Sequence, residues 1–298
     1  MHWSFLWFGQ TCLLRSSQVI SGRPINIKKI CTKIVIFFLS FIHAQNLQIC
    51  KDSYLEIDVP IVGKINIIKS ETVADGFYKL EEKTKAKRVP FRWTMSDFNG
   101  EIMISGTEKI LKYNVDNQEY WIENRQEYFK KLGQEKDNGN SIYLDLDDGV
   151  DKPLIDRYSE KNIAHLHGYE STKWTTSFTN SDGKIVIEEW FVDKFPLLKM
   201  HDSLKASVLT SFHPDGYYTD ENLLEFKSDL VIQEIDGTRA LDPIPGYPIK
   251  ISFSVFDKNS KRKFNLNYEI SQLYAEAVDT SFFTVPEQYK RIIKRSEF

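Results

Sequence analysis

The chain has 298 residues, 41% hydrophobic and 27% charged, with few prolines and glycines; this composition supports a sizeable core and excludes a disordered chain. The net charge of -3 hides an asymmetry, because the first 51 residues contain no Asp or Glu while residues 1–44 carry Arg15, Arg23, Lys28, Lys29 and Lys33. The remainder holds 34 basic against 42 acidic residues, and so acidic a body argues against a nucleic-acid partner, since phosphate binding rests on Lys and Arg.

The chain opens on an export pattern. Lys28, Lys29 and Lys33 precede the apolar run IVIFFLSFIHA at 34–44. A basic flank, a short apolar run and a small residue at its end predict a signal peptide cleaved between Ala44 and Gln45. The run is well short of the roughly 20 residues that a spanning helix needs. Residues 1–44 are therefore expected to be an extension plus signal peptide, and 45–298 a single domain delivered to the periplasm or secreted. Residues 1–27 form an unusually long preamble, and the only methionines are Met1, Met95, Met103 and Met200. We expect translation to start at a non-Met codon within 25–30; an intact precursor that keeps Trp3 and Trp7 would refute this. Cys12 and Cys31 lie in the presequence, so Cys50 is expected as a lone free thiol with no disulfide partner within 45–298. Residues 47–49 before it loosely resemble a lipid-attachment site, but Ile49 is bulky where a small residue is needed, which argues against an outer-membrane anchor.

Alternation and β-branched content predict strands at 64–70, 76–82, 89–95, 101–106, 108–115 and 118–124. Asn99-Gly100 and Asp116-Asn117 are read as hairpin turns between them. After a polar gap at 133–140 come strands at 141–146, 162–170, 172–180 and 184–193, the last two joined by Ser181-Asp182-Gly183. Residues 195–212 have helical spacing at Leu198, Leu204, Val208 and Phe212. Strands resume at 224–236, 246–257 and 263–271, and 282–292 closes the chain. Hairpins in series without βαβ alternation predict one large antiparallel sheet, with a helical interlude at 195–225 covering one face.

The chemistry-bearing patterns are thin. His165 and His167 in the predicted strand 162–170 point to one face and could begin a metal site, but a catalytic zinc needs a third protein ligand. The other histidines of 45–298, His201 and His213, lie in or beside the helix without an HExxH pattern, so no metal is expected. The acidic run LDLDDGVD at 144–151 fails the calcium-loop pattern: counted from Asp145, the sixth position is Val150, not Gly. No GxSxG, GxGxxG or phosphate loop occurs. Glu188 and Glu189 alternate across their strand and cannot act as an acid–base pair. No catalytic residue and no cofactor is expected. The aromatics Trp93, Trp121, Phe178 and Trp190 are candidates for the lining of an apolar ligand cavity beneath the helix.

HGYEST (167–172), DGKIVIEEWFVD (182–193), GYPIK (246–250) and an FxxPxxY ending (283–289) follow one another in an order that resembles a family of secreted proteins from Bacteroidetes-type bacteria. That family looks like the lipoprotein-carrier superfamily of LolA, LolB and RseB. The likeness covers roughly 64–292; its first half matches in strand rhythm and in EYWIENRQEYFKKL (119–132). Ser171 stands where relatives often have Cys, and Gln288 replaces the common Gly before Tyr289. The resemblance implies a mainly β, strongly curved antiparallel half-barrel closed by helices. On that shape, rather than on any activity of the family, we expect an exported, non-catalytic envelope protein that binds a lipid, lipoprotein or other apolar ligand, with peripheral or transient membrane contact. The alternative is an interaction or sensor module whose half-barrel is filled by its own side chains.

Overall fold

The computed structural model describes residues 47–60, 63–87, 96–107, 109–125, 128, 152–212, 227–235 and 240–293. The predicted strands at 89–95 and 141–146, the acidic run at 144–151, the cleavage site Ala44–Gln45, Trp93 and His213 lie outside them.

The described residues form one open, twelve-stranded sheet with two α-helices. In chain order the elements are β1 (Leu47–Val59), β2 (Gly63–Ala74), β3 (Phe77–Ala86), β4 (Asp97–Ile104), β5 (Lys109–Asn114), β6 (Glu119–Asn124), β7 (Leu154–Leu166), β8 (Tyr169–Thr179), β9 (Gly183–Val192), α1 (Pro196–Phe212), α2 (Ser228–Ile235), β10 (Tyr247–Asp257), β11 (Arg262–Ala277) and β12 (Lys290–Arg291). Across the sheet they run β12-β6-β5-β4-β3-β2-β1-β11-β10-β9-β8-β7. Every pairing is antiparallel except the short contact of β12 with β6. The expectation of one large antiparallel sheet holds. What joins its halves is β1, which pairs with β2 on one side and β11 on the other. β1 escapes sequence reading because Lys51, Asp52 and Ser53 interrupt its apolar alternation.

Three further expectations are corrected. The segment 162–170 is not one strand: β7 ends at Leu166, His167 and Gly168 take positive φ of 53° and 78°, and β8 begins at Tyr169. β7 itself begins well upstream, at Leu154. Residues 228–235 are helical rather than extended. Both Val231 and Ile232 are buried in the core there, and two adjacent apolar residues facing one side suit a helix, not a strand. Asn99-Gly100 is not a turn but lies inside β4. A Cβ at Gly100 would meet the Tyr113 ring at 2.1 Å, and that ring is buried and fixed by its hydroxyl, which donates to Glu81 Oε1 at 2.6 Å. Gly100 is there for the ring's close approach. Gly100→Ala is therefore expected to destabilise by about 1–3 kcal/mol through overpacking, read as a lower urea midpoint with an unchanged slope. The other turns stand: Asn114 Oδ1 accepts from the Asn117 N–H, and Asn180 Oδ1 accepts from those of Asp182 and Gly183.

Elements pack on both faces of the sheet. One, the helix face, carries α1 over Ile49, Val73, Tyr78, Met103 and Ile110, and α2 over a core that includes Ile187, Ile251 and Phe253. The other carries the tail, whose Phe283 is buried with Ala74, Ile102 and Tyr113. The FxxPxxY motif thus fills core: Phe283 packs on Phe77, and Tyr289 meets Tyr113 edge-on. No described helix is long and apolar enough to cross a membrane.

Candidate functional site

α1 starts at Pro196, a residue suited to the first helical position because its missing N–H has no partner there anyway. Its buried stripe is Leu198, His201, Lys205, Val208, Leu209 and Phe212. Two of those six positions are polar, and they meet a polar row on the sheet. Register pairs Lys51 with Glu71, Glu71 with Leu80, Leu80 with Glu101, Glu101 with Lys112, and Lys112 with Trp121. Directly opposed residues share a face, so β1 to β6 present this row as one line on the helix face.

Beneath α1 the row is buried. Lys51 and Glu71 form a buried ion pair, Lys205 Nζ reaches Glu71 Oε1 at 2.5 Å, and the Tyr78 hydroxyl donates to the same oxygen at 3.1 Å. Lys205 also lies over the Tyr78 ring, 5.7 Å from its centroid. Burial alone would push the Glu71 carboxyl up; the ammonium groups of Lys51 and Lys205 outweigh it and hold the group well below the usual carboxylate range.

Farther out, over β3 to β6, the row opens into a cleft of about 480 Å³. Leu80, Trp121 and Ile292 supply its apolar lining; Glu82, Asp97, Asn99, Glu101, Asn114 and Glu119 supply polar groups. Asn114 Nδ2 donates to Asp97 Oδ1 at 2.8 Å and to Asn99 Oδ1 at 3.0 Å, so the amides are pre-aligned. Lys112 bridges Glu123 at 3.2 Å and Glu101 at 3.8 Å and sits over the Tyr128 ring. Burial pushes the Glu101 carboxyl up, against the opposing pull of Lys112 and the Tyr128 hydroxyl.

A second polar device fixes α2. Glu189, with 0% exposure, accepts from the Ser228 hydroxyl and backbone N–H at the helix start. Arg157 Nη2 donates to the same hydroxyl at 2.7 Å, and its Nη1 donates to the Asp242 carbonyl at 2.7 Å. Glu188 faces the other way and pairs with Lys173, as the strand alternation requires.

The aromatic candidates do not share one wall. Trp121 lines the cleft. Phe178 is buried on the helix face near the far edge of the sheet, opposite Ile185. Trp190 stands in register with Lys173 and Lys250, whose ammonium groups lie 5.2 and 5.4 Å from its centroid, and packs against the core beside α2, away from the cleft. His167 is in a turn, where its Nε2 contacts the Ile270 carbonyl at 2.6 Å and its ring stacks on Phe195. Among the described residues no three His, Cys, Asp or Glu side chains gather at metal-ligand spacing. The Lys51–Glu71–Lys205 cluster was missed from sequence, although polar residues within an apolar helical stripe are a readable signal for it. No family model and no curated protein matches the chain.

Proposed function

We propose that this chain is an exported, non-catalytic binding protein of the bacterial envelope, built as a LolA-like half-barrel, that holds an amphiphilic ligand against the helix face over β3 to β6. The cleft that joins Leu80, Trp121 and Ile292 to a rim of aligned amides and carboxylates carries this reading. An apolar body shielded there gains roughly 0.8 kcal/mol per buried CH2, while the rim offers hydrogen bonds to a polar head. That division fits a lipid or lipoprotein better than a wholly apolar molecule. The open antiparallel sheet, with both helices on one face, supports the half-barrel reading.

A second reading is an interaction or sensor module with a filled interior. It is favoured by the side chains of α1 and α2, which already occupy the centre of the helix face.

Native mass spectrometry of protein expressed from the full sequence into a bacterial periplasm, with organic extraction, separates the two. Co-purifying lipid at a fixed stoichiometry, lost or weakened at least about tenfold in Trp121→Ala as expected for an aromatic anchor worth more than 1.4 kcal/mol, supports the binding protein. A clean apo mass with no uptake of a fluorescent fatty acid overturns it in favour of the interaction module.

A further inference from the structure

α1 is seated on the sheet by apolar contacts at both ends and a polar middle, His201 and Lys205. His201 has 0% exposure. Its Nδ1 lies 3.0 Å from Asp202 Oδ1, and its Nε2 is buried without a hydrogen-bond partner among the described residues. A carboxylate only accepts, so Nδ1 carries the proton and Nε2 presents a lone pair. An unfilled lone pair is tolerable in such a place. A second proton would put an unsatisfied N–H and a positive charge there, both costly to bury.

The charges around His201 sharpen this. Lys51 on β1, Glu71 on β2 and Asp202 on α1 itself act on the ring; Lys205 on α1 and Tyr78 on β3 both meet Glu71, Glu101 on β4 acts on Lys205, and β11 contributes the apolar Leu273 to the cluster beneath the helix. Burial, aided by the Lys51 ammonium, holds the imidazole below its usual range, against the pull of Asp202 and Glu71. Neutral imidazole is therefore the form that the packed state accepts.

We propose that His201 makes α1 a proton-released cover: the helix seats on β1 to β4 while the ring is neutral and lifts when it is protonated, baring Ile49, Val73, Met103 and Ile110. The sign follows from linkage. A base whose folded value lies below its unfolded value supports the packed state above about pH 6.5 and loses that support as pH falls through and below it. Glu101 and Glu189, both raised by burial, act in the opposite sense on acidification, so the test compares variants rather than pH values alone.

The experiment is hydrogen exchange of peptides covering 196–212 in the full-length protein, at about pH 7.5 and about pH 5.5, the range in which imidazole titrates. Rates are corrected for intrinsic exchange. His201→Asn keeps a donor toward Asp202 and cannot titrate. Severalfold faster exchange of α1 at the lower pH in the parent protein, absent in H201N, is the expected result. Equal pH response in both proteins, or none in the parent, overturns the proposal. If H201N does not fold, the imidazole resonances of the parent decide. A His201 midpoint below about 6.5 that tracks α1 exchange supports the cover; a midpoint at or above it, or no tracking, overturns it.

Discussion

Glu71→Gln is expected to be among the most damaging single changes in this protein, costing about 3–5 kcal/mol in urea unfolding, because it removes the carboxylate that Lys51 and Lys205 both meet beneath α1. The magnitude comes from the Lys51 charge that would be left buried, not from the pair's own strength. The triple change Lys51→Met, Glu71→Leu, Lys205→Leu is accordingly expected to cost far less than E71Q, since apolar replacement of a whole buried ion cluster is often neutral. A triple variant as unstable as E71Q would show that the cluster stabilises in its own right. The pH dependence has a definite sign. Glu71 is held well below the usual carboxylate range, so its contribution is complete above about pH 4.3 and is lost as pH falls from there toward its depressed folded value. This limb should be missing from E71Q, which assigns it to Glu71.

Phe212→Ala is expected to cost about 3–5 kcal/mol and to loosen α1. Phe212 has no exposed surface and packs in one cluster with Ile49, Val73, Tyr78, Met103, Ile110, Val208 and Leu209. Removing the ring takes away its transfer free energy and leaves a cavity between α1 and a sheet whose paired strands cannot close in. Thermal unfolding with hydrogen exchange would check it. A loss below about 1 kcal/mol would mean that the C-terminal end of α1 is not anchored as the packing indicates. F212A should also raise binding of a hydrophobic dye at neutral pH, where the His201 mechanism leaves the helix seated.

The motifs that carried the family resemblance turn out to be structural. DGKIVIEEWFVD is β9 with its hairpin turn, GYPIK opens β10, and FxxPxxY fills the tail-face core. That explains why such patterns are readable in a sequence while a ligand is not. Trp121 was singled out as a candidate and does line the cleft, but as one apolar patch in a polar wall. Trp190 has the same aromatic character yet lies in a row with Lys173 and Lys250 and lines no part of the cleft, because aromatic character says nothing about where a strand residue is placed.

Local chemistry in the sequence was enough to determine the β-rich class, the antiparallel pairing of most neighbouring strands, the turns at 114–117 and 180–183, and the helix at 196–212. Each rests on side-chain periodicity or turn preferences within a dozen residues, where chain neighbours are also spatial neighbours. Only the tertiary structure decided the rest. β1 closes against β11 across more than two hundred residues. Ser228 starts a helix because a buried carboxylate on β9 receives it. Gly100 sits in a strand to admit a ring from β5. Lys51, Glu71 and Lys205 become one buried cluster only when register and helix seating bring three distant segments together, and no local pattern encodes which distant charge will neutralise which.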